Sequence, residues 1–575
     1  MSVISLLAPV RPTLMGAAVL QLISSIAGVA PLVIVVMLIE QLLLHAIPTM
    51  EALWPWLLAL VLALLVRSLG LFAAGFLTHL ADNRLQFILR NQLCERLEQV
   101  ELLWFSRRHA GEVKKTLQDD IDTMHHLVAH TLLELVHVVV TPVLILFWLA
   151  QLDVLLTVIV TLPLLAGVAL YCRQLRAFAA NMNQYHQDLS HVSQAAVEMV
   201  QGIEVIKGFC LNGKASRRFY QTACGFLDRF WQWAQPVMRV SALSETILSP
   251  AFMLLWCAAA SWWFCRYQGL AVHAAVGFIL LGLNLVTALN SLMAAVAPLQ
   301  SALAAARNVQ RLMMLPAQRW PCESLTPEDN RVEFVDVSFH YQPGQPALQN
   351  INLLLPTGSL TAIVGASGSG KTTLGRLLAR YSDPQQGEVR LGGVNVRQLS
   401  HAQLKQRIGF AFQDTQLLSV SLRENISLAH PSANEHEVCR AAQQAAIDGR
   451  IAELPQGYES IPGESVRFSG GEAQRIALAR VFLADRPIWV LDEPASGLDA
   501  VTESRIQQSL ADLKGQHTVL VIAHNLKSVT HADTIVVMAE GRIVGQGKHE
   551  QLLQSNPTYA RLWAEEQGYS QHEDD

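Results

Sequence analysis

Apolar residues follow two rhythms along this chain, and the change falls near residue 300. Six long apolar segments come first, at 14–44, 53–80, 127–150, 154–172, 246–265 and 274–299. A helix needs about 20 mostly apolar residues to cross hydrocarbon, so each segment predicts a membrane span. The longer ones tilt or run on beyond the bilayer. After the change, short apolar runs of strand length alternate with helical patterns and Gly-rich turns, the rhythm of a soluble α/β fold.

The spaces between the spans alternate as well. Those at 45–52, 151–153 and 266–273 are short, and those at 82–125 and 173–245 are long and polar. The long connections carry fifteen Lys and Arg, whereas the short ones carry only Arg266. Positive residues mark the cytoplasmic side, which places the long connections there, with both ends of the chain. Residues 85–103 and 192–209 space their apolar positions three to four apart, so they continue the membrane helices into the cytoplasm. Turns expected at His109-Ala110-Gly111 and near Gly202 or Gly208 leave room for a short cross-helix that docks on another domain, or for a plain hairpin tip.

Charged and polar residues inside a span are costly, at roughly 2.5–3.5 kcal/mol near the bilayer centre. In the third span His126, His130, Glu134 and His137 recur at helical spacing, within a stripe ~80° wide that Thr141 extends. Such a stripe faces a neighbouring helix or a water-filled cavity. Either it contacts cargo through His130, Glu134 and His137, or it makes hydrogen bonds between helices. The spacing also permits a metal site, but the sequence shows no confirming ligand set. Arg67, Glu40 and Glu245 raise the same question singly, Asn284 and Asn290 read as contacts between helices, and Pro142, Pro163 and Pro250 as candidate kinks.

Composition sharpens this division. Of 575 residues, 51% are hydrophobic and only 15% charged, and the deficit of charge lies in the first 300. A net charge of −5 gives no reason to expect nucleic acid. Eight scattered cysteines without a C-x-x-C pair argue against a disulfide framework or a cysteine zinc site. The first twelve residues carry one basic side chain, Arg11, ahead of an apolar run too long for a cleaved signal, so a retained membrane helix is expected. The expected domains are 1–310 for the membrane part, 311–330 for a linker with three prolines, and 331–575 for the soluble part.

The soluble part holds the chemistry. Gly365-Ala366-Ser367-Gly368-Ser369-Gly370-Lys371-Thr372 fits G-x-x-x-x-G-K-[ST], between an apolar strand at 360–364 and a helical pattern from Thr373. Glycines there let backbone N–H groups curl around a phosphate, and the helix start adds its positive end. Lys371 suits the β- and γ-phosphates, and Thr372 suits Mg²⁺. Downstream, the strand at 488–491 ends in Asp492-Glu493, a metal ligand followed by a group able to orient and deprotonate water. Ser469-Gly470-Gly471-Glu472 opens another helix, a second place for phosphate. Gln413 and His524 close two more apolar strands, at the edge where open α/β sheets bind ligands.

Taken as a set, these motifs over residues 331–555 resemble the ATPase domain of ABC transporters. With six spans ahead of it, the chain resembles a half-size transporter of the exporter fold: an all-α six-helix membrane domain plus an α/β P-loop ATPase domain. The resemblance implies ATP and Mg²⁺ as ligands. It implies that Tyr341 stacks on adenine and that residues 365–373, Thr373 included, hold the phosphates. It gives Thr372, Gln413 and Asp492 to the metal, Glu493, His524 and Gln413 to catalysis, and Ser469, Gly470 and Gly471 to the signature. Ser496-Gly497-Leu498-Asp499 becomes the D-loop, with Asp499 beside the nucleotide.

In this family each ATP lies between one chain's phosphate loop and the other's signature, so a second half-transporter chain, identical or related, is implied. Alternating access in a bacterial inner membrane is implied too. Residues 380–387 and 392–397 are similar to transporters of the yersiniabactin-uptake type, which import iron–siderophore complexes on the exporter fold. Export of lipids, drugs or other amphipathic molecules is the alternative. A soluble ABC ATPase is disfavoured by the six spans, and a sensor that moves no cargo is distinguished by assay in sealed vesicles. The departures are Glu472 where Gln is commoner, Phe468 where Leu is, a missing glycine in 463–467, and Asn525 after His524. They bear on signature geometry and remove no catalytic group.

Overall fold

In the computed structural model the described residues are 3–44, 50–106, 110–208, 214–321, 325–342, 344–412, 415–463, 466–494, 500–512 and 515–570. The chain divides into two compact units: Met1–Glu98 with Ala110–Leu315, and Gln99–His109 with Pro316–Asp575.

The first unit is helical. Its principal helices are α1 (Arg11–Leu44), α2 (Met50–Glu98), α3 (Thr131–Leu152), α4 (Val154–Gln201), α5 (Lys214–Ile247), α6 (Pro250–Tyr267) and α7 (Val272–Met313). Among the described residues five helical stretches are long and apolar enough to cross a membrane. The count rises to six where the pair Arg217–Ile247 and Pro250–Tyr267, bent by 48°, is taken as one span. The bend falls where Pro250 opens α6 and Ser249 caps it by accepting from Phe252 N–H, the position proline favours at a helix start. Pro142 and Pro163 instead lie inside unbroken helices. Helix α2, at 49 residues, is ~70 Å long, far more than a bilayer needs, and its apolar length is mostly exposed as lipid requires. The buried core joins Val29, Ile145, Leu149, Leu156, Cys257 and Phe278.

Polar residues in the spans find partners across helices. Ser24 donates to the Arg67 carbonyl at 2.9 Å, and Asn290 Nδ2 donates to the Leu248 carbonyl at 3.3 Å. Glu40 Oε1 lies 3.8 Å from His273 Nε2, whereas Glu245 accepts from Ser241 one turn back on its own helix, at 2.8 Å. Helix α4 ends at Gly202, one of the expected turns.

The second unit has two sheets. One is four-stranded and antiparallel, ordered β2 (Gln345–Leu355), β1 (Val332–Gln342), β4 (Gln386–Leu391), β5 (Val394–Asn395). The other is ordered β10 (Arg542–Gly547), β9 (Thr534–Ala539), β3 (Leu360–Gly365), β8 (Thr518–Ile522), β7 (Ile488–Asp492), β6 (Ile408–Ala411). It is parallel from β9 to β6. Strands β7 and β8 are buried along their whole length, which explains their unbroken apolar runs: helices cover both faces. Register sets Ala362 beside Val521 and Asp492 beside Ile522, so the carboxyl ends of β3, β8 and β7 are level.

Residues 99–106, expected with the membrane part, belong to this second unit. Leu103 of the short helix Leu102–Ser106 is buried in its core with Phe334, Leu378 and Val389. The Leu103 N–H donates to the Tyr381 carbonyl at 3.1 Å, and Ser382 Oγ donates to Glu101 Oε2 at 2.8 Å. The chain breaks at 99–101 and sends one apolar side chain into the ATPase-like core. Helical periodicity alone runs through that point without a signal.

Candidate functional site

The phosphate loop leaves β3 at Gly365 and enters helix α8 (Lys371–Leu378) after Gly370. Two glycines are needed by geometry. At Gly365 (φ +150°) a Cβ would lie 2.2 Å from the Met538 carbonyl oxygen, and at Gly370 (φ +103°) 2.7 Å from that of Ala347. The loop is therefore held close against β9 and β2, and the Ser369 N–H turns inward to the Ala366 carbonyl at 3.2 Å. Ala366, Ser367 and Gly368 are exposed at its tip. Ser369 is buried, and its Oγ has no hydrogen-bond partner. Lys371 is buried and donates from Nζ to the carbonyls of Gly365 and Ala366, at 2.8 and 3.0 Å. Burial pushes this ammonium below its ordinary range, against the opposing pull of Glu493 and Asp492.

Two strands away, Asp492 ends β7. Thr372 Oγ1 donates to its Oδ1 at 3.3 Å, while its Oδ2 is buried without a partner. Burial raises the carboxyl, the nearby Glu493 adds to the rise, and the Thr372 hydrogen bond opposes it. A hydroxyl, a carboxylate with a free oxygen and a strained negative site are what a hard divalent cation fits. Glu493 follows with φ +53°, its N–H donating to the Ile522 carbonyl at 2.9 Å. Gln474 Nε2 donates to the Glu493 carbonyl at 2.5 Å. His524, just past β8, holds the side chain: its Nε2 lies 2.7 Å from Glu493 Oε1.

The signature opens helix α9 (Gly470–Ala484). Ser469 caps it, accepting from Glu472 N–H at 3.3 Å, and its own N–H donates to Glu472 Oε2 at 2.7 Å. Arg450 Nε also donates to Glu472 Oε1, at 2.8 Å. Burial pushes the Glu472 carboxyl up, but the Ser469 bonds and Arg450 outweigh it and hold the group below its usual range. The unusual Glu therefore completes a capping box and gains an ion pair. Ser469 and Gly470 remain exposed.

The structure brings Lys371, Thr372, Asp492, Glu493 and His524 to one sheet edge. Tyr341 is half-buried, hydrogen-bonded through its hydroxyl to Thr373 Oγ1 at 2.9 Å and edge-on to Phe339. Gln413 and Asp499 lie outside the described residues. Gln474 and Arg450 escape a reading of the sequence because their function is to support a neighbour, and neither sits in a recognisable motif.

In the membrane unit the expected stripe is divided. Residues His126–His130 form a π-helical turn, so α-helical spacing does not carry from His126 to Glu134. His137 Nδ1 lies 3.0 Å from Thr141 Oγ1 and 3.5 Å from Ser25 Oγ on α1, a bond between helices. Glu134 is half-buried on α3, and His130 packs edge-on against His79 and His125.

Comparison with known proteins agrees with this architecture. Residues 348–496 match the family described as ABC transporter, and residues 14–268 match the ABC transporter transmembrane region. An ATP-dependent lipid A-core flippase of Syntrophus aciditrophicus is 30% identical over 519 residues, 88% of this chain and 84% of that protein. The chain belongs to the ABC transporter family, as a multi-pass membrane domain joined to an ABC ATPase domain. The mycobactin import ATP-binding/permease protein IrtA of Mycolicibacterium thermoresistibile is 34% identical over 579 residues, 97% of this chain. That of Mycobacterium tuberculosis is 34% identical over 571, 98% of the chain. This chain spans only 62% and 65% of those two proteins' lengths. The fold matches a solved bacterial Atm1-family ABC exporter with ATP bound, at TM-score 0.78 and 24% identity, over 97% of this chain and 98% of that one.

Proposed function

We propose that the chain is a half-transporter that uses ATP hydrolysis to move a small molecule across a bacterial inner membrane, paired with a second copy or a related chain. The observation that carries this reading is the meeting of Lys371, Asp492 and the Glu493–His524 pair at the ends of three adjacent strands. Residues 365–373 bind the triphosphate by backbone N–H groups and Lys371, and Tyr341 supports the base. Thr372 and Asp492, with Gln413, would hold Mg²⁺, which when bound would supply positive charge to the phosphate oxygens. Glu493 accepts a proton from the attacking water, and His524 keeps its carboxylate aimed. Ser469 and Gly470, both exposed, together with Gly471 and Asp499, serve the nucleotide held by the partner chain. Residues 99–106 pass the closure of the ATPase domains to the membrane helices. Phosphate release by the purified, lipid-embedded protein, alone and with candidate partner chains, tests the ATPase part; no turnover under any pairing would overturn it.

For cargo, the reading is an iron–siderophore complex, moved inward. It is supported by the mycobactin import relatives, whose 34% identity extends over 97–98% of this chain. His130, Glu134 and His137 are the polar groups offered to it. A second reading, outward movement of a lipid, is supported by relatives that this chain covers more fully: the lipid A-core flippase, and a fatty acid ABC transporter ATP-binding/permease protein of Mycobacterium bovis, 31% identical and covered to 80%. Growth of a deletion strain on iron held by different siderophores separates the two. A defect confined to particular siderophores supports import, and equal growth on all of them favours the lipid.

A further inference from the structure

Apart from the nucleotide site, histidines from two stretches of the membrane unit converge. His79 lies on α2, while His125 and His130 lie on the chain entering α3. Their ring centroids are 5.1 Å apart for His79–His125, 5.5 Å for His79–His130 and 5.1 Å for His125–His130. One ligating nitrogen from each comes within 4.8 Å of the others. Four-coordinate zinc with bonds of ~2.0–2.1 Å sets its donors ~3.4 Å apart, so modest ring rotation closes the set.

The backbone is shaped for this meeting. In an α-helix a five-residue step leaves two side chains ~140° apart. Here the Thr131 N–H reaches back five residues to the His126 carbonyl, and the Thr131 hydroxyl joins it at 2.9 Å. That wider turn carries His130 back over His125. Such π turns are rare and recur at functional sites.

The surroundings also point to a cation. Asp82 is 2% exposed, and its Oδ2 lies 2.7 Å from His125 Nδ1. Gln86 Nε2 donates to the same oxygen at 2.9 Å, while Oδ1 is buried without a partner. A carboxylate bound to Nδ1 leaves Nε2 of the same ring free for a metal, and it fixes the ring's orientation. No Lys or Arg pairs with Asp82 among the described residues, so this buried negative charge has no fixed cation to balance it. An open groove of about 760 Å³, lined by Gln86, Asp122, His125, His126 and Pro298, reaches the cluster at His125.

We propose that His79, His125 and His130 bind one divalent transition-metal ion, with Asp82 as the positioning residue for His125. Three imidazoles with no thiolate favour zinc and its neighbours over Mg²⁺ or Ca²⁺. Three protein ligands leave the fourth position of a tetrahedral ion to water or an exchangeable ligand. The proposal shares His130 with the cargo reading, and binding measured with no cargo present separates the two.

The test uses the full chain in lipid nanodiscs, stripped with a chelator and titrated with Zn²⁺ against a chromophoric competitor. One Zn²⁺ per chain is expected. His79→Ala and His130→Ala should each weaken it at least a hundredfold, and Asp82→Asn roughly ten- to a hundredfold. Because variants can misfold, Co²⁺ added to the unaltered protein gives an independent readout: intense visible bands of a four-coordinate site are expected. Absence of tight Zn²⁺ binding, weak six-coordinate Co²⁺ bands, or undiminished binding in a folded His79→Ala/His125→Ala/His130→Ala variant would each overturn the proposal.

Discussion

His524 Nε2 stands 2.7 Å from Glu493 Oε1, joining the ends of two neighbouring strands, β8 and β7. The carboxylate is buried and the imidazole half-exposed. One side of the pair thus meets the sheet and the other the nucleotide side. If Glu493 takes the proton from water, Glu493→Gln keeps ATP binding and lowers turnover by at least ~10²-fold, the range of general-base loss. His524→Ala should lower kcat with little change in KM, since it frees the carboxylate to wander. Phosphate release and nucleotide binding, measured on each variant, check both.

Asp492 gives a prediction of opposite sign for stability and activity. Burial raises its carboxyl above the ordinary 3.8. At neutral pH the folded protein therefore bears the cost of an ionised, half-satisfied group, one that the unfolded chain does not bear. Asp492→Asn removes the charge at the same size. Its thermal midpoint without Mg²⁺ and nucleotide should rise, while Mg²⁺-dependent turnover is lost. A lowered midpoint would contradict this reading of the site.

At the signature, Glu472→Gln keeps an acceptor for the Ser469 N–H and gives up the Arg450 ion pair, itself partly exposed. The change in stability should stay below ~1 kcal/mol. Glu472→Ala removes the box and should cost about 1 kcal/mol with a larger fall in turnover. Because the folded carboxyl titrates below its ordinary 4.5, the contribution is full above that pH and disappears as pH falls through the folded value. Denaturant unfolding of the three proteins at pH 7 and pH 4 reads it.

Leu103 offers a way to separate turnover from transport. Its side chain is buried with Phe334, Leu378 and Val389, and truncating a buried leucine costs ~2–5 kcal/mol. Leu103→Ala should loosen residues 99–106 from the ATPase unit. Basal turnover should stay within about twofold, while stimulation by cargo falls several-fold. Parallel assays with and without cargo test it.

The meeting of the phosphate loop with Asp492 and Glu493 was legible in the sequence because backbone geometry demands fixed spacings there. A loop that must clear Met538 and Ala347 needs glycine at 365 and 370, and two acidic residues side by side at the end of a buried apolar strand stand out in any sequence. The spans were legible because hydrocarbon demands length. The bend at Pro250 was readable as a kink. What was hidden depends on contacts between distant segments. Nothing near Leu103 signals that it belongs to the second unit, and Gln474 and Arg450 only support neighbours. The histidine stripe was drawn at 100° per residue. The π turn at His126–His130 breaks that assumption and brings in His79 and Asp82 from another helix.

The most direct test of the central claim is cargo movement in sealed vesicles carrying the protein with its partner chain, compared with the same vesicles carrying Glu493→Gln. We expect movement of the iron–siderophore complex that requires Mg²⁺ and ATP and vanishes in the variant. ATP turnover in the unaltered protein with no movement of that complex or of lipid would contradict the account.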